Sequence, residues 1–280
     1  MKQTLFIQFV VLGFIALSSC TDETPKEQKT PKTQKEQLKE MLNLQSSSSL
    51  NQQKFDNGLT ITWHAVGTGN VVKDDKVYLI NYVLLNQDSV ELESSIAQKR
   101  VGLPYVAGWS LHTMGMDFAM SQLRVGDWVT AYIPAAMVVD AHGNVPKKPR
   151  NQILKLKILS ELKPTRIVDG IKVWKLEGSS KEKMIIDSTS SVTIHYIASS
   201  KSNPKFDESY TRRSPFNFQM YNSNVVPGLK KALINAKKFD RLLIMIPSKE
   251  AYGNKGYLDY VRPNEQLFYN ISIEEVKNRP

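Results

Sequence analysis

The sequence predicts an α+β fold made of two tandem domains, each an antiparallel β-sheet curled around one short helix. Three observations lead to this prediction. Apolar and polar residues alternate in most segments, as they do in half-buried strands. Each half of the chain holds one short segment with helical spacing. The halves also repeat each other at one constant spacing, since GMDFAMSQLRVGD answers to GLKKALINAKKFD and AYIPAAM answers to IMIPSKE.

The first residues are typical of an exported protein. Lys2 precedes the apolar segment TLFIQFVVLGFIAL, which is shorter than the ~20 residues of a membrane-spanning helix. Ser18 and Ser19 then lead to Cys20, the only cysteine in the chain. This ending resembles the lipobox of bacterial lipoproteins, which implies that residues 1–19 are a signal peptide and that Cys20 is acylated. The alternative is a secretory signal followed by a chance cysteine.

Thr21, rather than an aspartate, follows the cysteine. In enterobacterial sorting an aspartate at this place retains lipoproteins at the inner membrane, so its absence implies the outer membrane, at the periplasmic face or the cell surface. The acidic residues Asp22 and Glu23 resemble surface-export signals of some Bacteroidetes. Several acyl chains on one residue would give stable membrane attachment.

Residues 20–53 are rich in Lys, Glu, Gln, Thr and Ser, so they bury too little apolar surface to fold and are expected to form a polar tether. The first domain is then predicted over residues 54–164 and the second over residues 166–280. The boundary between them lies in ELKPTR, where Pro164 interrupts a strand pattern.

Both domains present their predicted elements in the same order. The repeat extends to two further pairs of segments, since NGLTITW corresponds to DGIKVWK and VYLINY corresponds to SVTIHY. Each domain ends with a long alternating segment, QILKLKILSEL in the first and EQLFYNISIEEV in the second. The helix of the second domain is expected to begin at Gly228. Its spacing places four apolar residues on one face, namely Leu229, Ala232, Leu233 and Ala236.

Five motifs follow one another in the second domain: His195-Tyr196, Phe206-Asp207, Val225-Val226-Pro227-Gly228-Leu229, Ile246-Pro247 with Ala251-Tyr252-Gly253, and Leu267-Phe268-Tyr269. With these motifs in the family's order, the second domain resembles the FKBP-type peptidyl-prolyl isomerases from about Asp169 to Val276. The resemblance needs one small insertion, SKSNP, ahead of the Phe-Asp pair. It implies a peptidyl-prolyl cis-trans isomerase that accelerates rotation about X-Pro bonds.

The resemblance implies four catalytic residues, Tyr196, Phe206, Asp207 and Tyr252. Tyr252 would donate its hydroxyl to the substrate carbonyl, and Asp207 would lie near the twisted amide and interact with Tyr196. Residues of an apolar pocket would bind the substrate: Phe216, Val225, Val226, Leu229 as the floor, Tyr257 on a flap, Val261 through its backbone and at the rim, and Tyr269. Phe218 and Phe268 are expected in the core.

The first domain departs from these motifs while its core pattern persists. Tyr82 is kept, but the Phe-Asp pair becomes Leu92-Glu93 and the floor becomes Met116. Val139 stands at the place of Tyr252, and Leu154 at the place of Tyr269. We therefore expect the fold to persist in this domain, with little isomerase activity.

The formal net charge of +10 comes from scattered lysines and arginines, so nucleic-acid binding is not expected. The four histidines lack ligand spacing, and neither a metal nor a cofactor is expected. The expected partners are proline-containing unfolded or exported polypeptides, the lipid membrane through acylated Cys20, and macrolide ligands. Two alternatives stay open: a non-catalytic polypeptide-binding chaperone, and a docking lipoprotein of an outer-membrane complex.

Overall fold

Two seven-stranded antiparallel sheets, each packed around one short helix, form the computed structural model. The structure describes residue 36 and residues 50–95, 102–109, 111–139, 148–179 and 181–278. The predicted signal peptide, Cys20 and nearly all of the predicted tether lie outside the described residues. None of the described helices has the length and apolar character needed to cross a membrane.

The first sheet contains seven strands: β1 (Asn51–Lys54), β2 (Thr60–Ala65), β3 (Val77–Asn86), β4 (Glu91–Ser94), β5 (Leu103–Val106), β6 (Trp128–Ile133) and β7 (Gln152–Leu162). Their order in the sheet is β1-β2-β6-β7-β3-β4, with β5 paired to β3. The longest pairing joins β3 and β7, which contain the segments VYLINY and QILKLKILSEL.

Helix α1 (Met114–Ser121) packs against the first sheet. Thr113 caps its start, because the threonine hydroxyl accepts a hydrogen bond from the N–H of Met116 at 3.2 Å. The helix buries Gly115, Met116, Ala119 and Met120 against the sheet.

The second sheet also contains seven strands: β8 (Arg166–Val168), β9 (Ile171–Glu177), β10 (Ser191–Ser200), β11 (Asp207–Glu208), β12 (Phe216–Gln219), β13 (Arg241–Ile246) and β14 (Leu267–Lys277). It repeats the first sheet with the order β11-β10-β14-β13-β9-β8, and with β12 paired to β10. Helix α2 (Pro227–Leu233) packs against its concave face. The predicted α+β fold, two antiparallel sheets that each hold one short helix, is confirmed.

Helix α2 is shorter than the sequence predicts. Pro227 begins it, where a missing N–H costs nothing. It ends at Leu233, so Ala236 is buried in the same core but lies beyond the helix. The cause is a competing backbone pairing, because Asn235 donates to the carbonyl of Ile186 at 2.9 Å and Ile186 donates back to Ala236 at 2.8 Å.

The predicted tether also ends earlier than expected. Residues 51–53, which the sequence analysis assigned to the tether, belong to β1 and pair with β2 over four residues. The strand NQQK is polar and exposed along its whole length, so it carries no apolar alternation that would reveal a strand. Backbone hydrogen bonds to β2 hold it in place.

A glycine in each helix allows the close packing of helix on sheet. A Cβ added at Gly115 would lie 2.3 Å from a side-chain carbon of Ile133, and one added at Gly228 would lie 2.4 Å from the same carbon of Ile246. Such distances are far inside van der Waals contact. Both domains therefore need glycine at the second residue of the helix, and the sequence repeat preserves it.

A third apolar cluster joins the two sheets. Trp109 and Phe268 stand at its centre, with ring centroids 5.6 Å apart, and Trp174 donates its indole N–H to the carbonyl of Leu162 at 2.9 Å. The buried members come from both domains: Val77, Val106, Trp109, Trp174, Leu243, Met245 and Phe268. The sheets thus share a packed interface.

Candidate active site in the second domain

An aromatic cup opens where β10 and β14 run side by side. Tyr196 on β10 and Tyr269 on β14 both point into the core that holds α2, and their ring centroids lie 6.2 Å apart. Leu229 and Val226 at the start of α2 lie below them and are almost completely buried. Side chains from two strands and a helix therefore build an apolar floor and wall.

Asp207 lies beside this cup because β11 pairs with β10, with Asp207 opposite Ala198. Its carboxylate accepts a hydrogen bond from the Tyr196 hydroxyl. Arg212 completes the group by donating to Asp207 at 2.9 Å and to the Tyr196 hydroxyl oxygen at 3.1 Å. The predicted contact between Asp207 and Tyr196 is present in the structure.

Burial and the hydrogen bond to Asp207 raise the pKa of Tyr196 to about 12, against the opposing influence of Arg212. The phenol therefore keeps its proton at neutral pH and stays a donor. Sequence reasoning missed Arg212. The segment DESYTRR holds two adjacent arginines, and nothing in its pattern distinguishes Arg212 from Arg213.

Tyr252 lies at the edge of the cup. After β13, Pro247 turns the chain into a short 3-10 helix, Ser248–Glu250, which delivers Tyr252 to the cup. The ring packs against the core, and burial, followed by the neighbouring Tyr257 and Asp207, raises the pKa of its hydroxyl. Among the described residues this hydroxyl has no hydrogen-bond partner, so it is available to a ligand.

The loop of residues 253–263 forms the flap over the cup. Its tip is closed by two backbone hydrogen bonds, from Tyr257 N–H to the Val261 carbonyl at 2.8 Å and from Val261 N–H to the Tyr257 carbonyl at 3.1 Å. Gly256 has φ +68°, and a Cβ there would lie 2.4 Å from the Val261 carbonyl oxygen, so glycine is required. The Tyr257 ring stacks on Tyr252 at 4.7 Å.

This geometry revises the expected role of Val261. Its N–H already binds within the flap, and its side chain is 1% exposed and belongs to the core. It therefore supports the cup from inside, and its N–H is not free to bind a ligand.

The remaining predicted residues lie around the same cup. Phe206 and Val225 pack against the core from its margin. Phe216 is 38% exposed and meets Tyr196 edge-on at 5.9 Å. Phe218 is in the core as expected, while Phe268 is buried against the first domain instead of within its own.

The corresponding cup of the first domain contains different side chains. Tyr82 donates to Glu93 at 2.5 Å, so a tyrosine–carboxylate pair persists. His112, at the position of Val225, stacks on Tyr105 at 5.6 Å and meets Tyr82 edge-on at 6.2 Å. Leu92 is 52% exposed, so it does not replace the wall that Phe206 provides. An imidazole occupies the space between the aromatic rings, a feature that sequence reasoning did not consider.

The family model of FKBP-type peptidyl-prolyl cis-trans isomerases matches residues 182–274. Human peptidyl-prolyl cis-trans isomerase FKBP9 is 32% identical over 87 residues, which make up 31% of this chain and 15% of that protein. FK506-binding protein 1 of Debaryomyces hansenii is 31% identical over 85 residues, 30% of this chain and 76% of that protein. The crystal structure of the three FKBP domains of wheat FKBP73 aligns with a TM-score of 0.41 and 19% identity, covering 80% of this chain and 97% of that chain.

The matched region contains β10 to β13, most of β14 and the whole aromatic cup. The chain therefore belongs to the FKBP-type peptidyl-prolyl cis-trans isomerase family. It spans 15% of the length of FKBP9, a much longer protein.

Proposed function

We propose that the cup of the second domain catalyses cis-trans isomerisation of X-Pro bonds in exported polypeptides. The observation that carries this proposal is the Tyr252 hydroxyl. It lies at the edge of an apolar cup, next to the linked side chains of Tyr196, Asp207 and Arg212, and it has no hydrogen-bond partner among the described residues.

The chemistry of the cup suits this reaction. Amide resonance creates a rotation barrier of ~18–20 kcal/mol, and an uncatalysed X-Pro bond turns over in tens to hundreds of seconds. The planar amide is more polar than the twisted one, so an apolar site with little water favours the twisted form relative to bulk water. Catalysis then needs only tighter binding of the twisted amide than of the planar one.

Each side chain has a part in that binding. The proline ring would lie on Leu229 and Val226, between the rings of Tyr196 and Tyr269, all of which are buried in one core. Tyr252 would donate a hydrogen bond to the substrate carbonyl. Asp207, fixed by Arg212 and by the Tyr196 hydroxyl, would place its negative charge beside the rotating amide.

A protease-coupled assay on an X-Pro peptide tests this proposal in the full chain. The double variant Asp207→Val with Tyr252→Phe should lose most of the activity, while Glu93→Val, the matched change in the first domain, should keep it. Circular dichroism should show both variants folded. If the double variant turned over the peptide as fast as the unaltered protein, the assignment of the site would be wrong.

One relative is named for FK506 binding. We propose that macrolides of that kind occupy the same cup and compete with peptide. Titration with FK506 should inhibit the isomerase activity of the full chain, and Glu93→Val should leave that inhibition unchanged. Inhibition that persisted after Leu229→Ala with Tyr252→Phe would place the macrolide elsewhere.

We further propose that acylated Cys20 attaches the protein to the outer membrane, on the basis of the lipobox-like ending at Ser18-Ser19-Cys20. Metabolic labelling with a radioactive fatty acid should label the unaltered chain and not Cys20→Ala, and the unlabelled variant should leave the membrane fraction. Protease treatment of whole cells would then distinguish the periplasmic face from the cell surface. Label retained in Cys20→Ala would exclude this attachment.

Polypeptide binding without catalysis is the second candidate function. The observation in its favour is a group of exposed large side chains, with Phe216 beside Tyr196 at the cup and Tyr257, Leu258 and Tyr260 on the flap. Exposed apolar patches of this kind mark binding sites for other chains. If Asp207→Val with Tyr252→Phe abolished turnover but still suppressed aggregation of an unfolded protein, holding polypeptides would be a separate activity.

A further inference from the structure

The inserted segment SKSNP of the second domain contacts the first domain. Lys201 in this segment forms an ion pair with Asp75 at 3.0 Å. Its ammonium group also donates to the carbonyl of Gly108 and lies 5.0 Å from the ring centre of Trp109. The insertion, which interrupts the resemblance of the second domain to its family, thus supplies polar contacts between the domains.

Asp75 is held in place for this contact. It lies in the turn before β3 with φ +60°, and its N–H donates to the carbonyl of Ala107 at 3.1 Å. The carboxylate accepts from the indole N–H of Trp109 at 2.9 Å, and it also binds the side chains of Lys201 and Gln266. Partial burial would raise the pKa of Asp75, but these hydrogen bonds outweigh it and lower the pKa, so the group is ionised at neutral pH.

The same insertion binds the base of the flap. Ser202, next to Lys201, donates from its N–H at 3.1 Å and from its hydroxyl at 2.7 Å to the two carboxylate oxygens of Glu265. Glu265 also accepts from the N–H of Arg262 at 3.1 Å. Arg262 directly follows Val261, whose two backbone hydrogen bonds to Tyr257 close the flap. An unbroken series of contacts therefore runs from Asp75 to the flap.

Strand β14 supports this connection from below. Leu267 and Tyr269 face the core of the second domain, while Phe268 between them faces Trp109 of the first. Gln266, which binds Asp75, is the residue just before this strand. Asp75 thus contacts both the insertion and the point where the flap joins the wall of the cup.

We propose that the first domain positions the flap of the isomerase cup, with Asp75 and Lys201 as the positioning residues. The effect on turnover rests on the proposed isomerase function, whereas the effect on the flap can be measured without it. Neither residue touches the cup itself. Their loss should loosen the flap and weaken substrate binding, with little change in the chemistry at Tyr196, Asp207 and Tyr252.

Two variants of the full chain test this proposal. Asp75→Asn removes the charge and keeps the shape, and Lys201→Met removes the ammonium group and keeps the stem. Each should raise KM for an X-Pro peptide about two- to fivefold with kcat nearly unchanged, the range expected when a partly exposed ion pair is lost. Amide hydrogen exchange over residues 253–263 should speed up by a similar factor, and the double variant should lose no more than either single change.

Two controls make the result specific. Lys201→Arg keeps the charge and should keep the KM and the flap protection of the unaltered protein. Glu275→Gln breaks the 2.9 Å ion pair with Lys277 near the other end of β14 and should change neither quantity. The proposal is overturned if both test variants exchange and bind like the unaltered chain, or if Glu275→Gln shifts the flap as much as they do. Absence of all isomerase activity in the unaltered chain would instead refute the proposed function, while flap exchange would still decide the coupling.

Discussion

The two domains share one architecture and hold two different cups. The sheets follow the same strand order, each helix packs through a glycine onto an equivalent isoleucine, and a tyrosine on β3 or β10 binds a carboxylate in both. The second cup is lined by Phe206 and Tyr252 at its margin, whereas the first has an exposed Leu92 and a His112 that stacks between the rings. The fold is thus kept although the side chains that line the two cups differ.

The Tyr82–Glu93 pair of the first domain shows which shared feature of the two cups serves the fold. Tyr82 is almost completely buried, and burial together with Glu93 raises the pKa of its hydroxyl well above the ordinary value. A buried phenol needs a partner in either domain. The pair by itself therefore does not define an isomerase site, and the two cups differ instead in the side chains beside it, such as Tyr252 in the second domain and Val139 in the first.

The largest expected effect distinguishes Asp207 in the second domain from Glu93 in the first. Asp207→Val should lower kcat/KM for an X-Pro peptide by about tenfold or more, because the charge beside the rotating amide is lost, and tenfold equals ~1.4 kcal/mol of transition-state stabilisation. Glu93→Val in the first domain should leave kcat/KM unchanged. Equal losses in both variants would mean that the first cup contributes to turnover.

A smaller effect is expected at the free phenol. Tyr252→Phe removes one hydrogen bond to the substrate, so kcat/KM should fall about threefold, within the ~0.5–1.5 kcal/mol of a typical hydrogen bond. Tyr132→Phe, which removes an exposed hydroxyl from β6 of the first domain, is the control. A fall of the same size in both variants would argue against a direct contact with substrate.

A smaller effect still is expected when the first cup is opened. His112→Val removes the imidazole from between Tyr82 and Tyr105 and restores the residue type that the second domain has at this place. Total activity should change less than about twofold, since Tyr252 has no counterpart in this cup, but a second weak site for a proline peptide should appear in NMR titration. No new chemical-shift changes around Tyr82 would show that the imidazole is not what closes the cup.

No effect is expected from moderate changes of pH. Burial raises the pKa of Tyr196 to about 12 and raises that of Tyr252 above its ordinary value, so both phenols keep their protons well above neutrality. A raised tyrosine pKa moves the loss of the donor to higher pH, and kcat/KM should stay flat from about pH 6 to about pH 9. A decline that begins near pH 8 would contradict this arrangement of the two hydroxyls.

The sequence revealed the fold because alternation and repetition report directly on buried faces. It revealed the cup through motif order, and the structure brings together Tyr196, Asp207 and Tyr269 from three different strands. It did not reveal Arg212 or His112, because each acts through side-chain contacts that follow no repeating pattern along the chain. The exposed strand β1 was not predicted from the sequence either, since only its pairing with β2 defines it.

The alternation of side chains along β14 has a consequence for engineering. Strand β14 lines the cup with one face and contacts the first domain with the other, so the second domain is not a module that can be transplanted unchanged. A graft would uncover Leu243, Met245 and Phe268, and a polar replacement of Phe268 would lie next to Tyr269 of the cup. Any redesign of the first domain therefore has to cover these three side chains again before it can alter anything else.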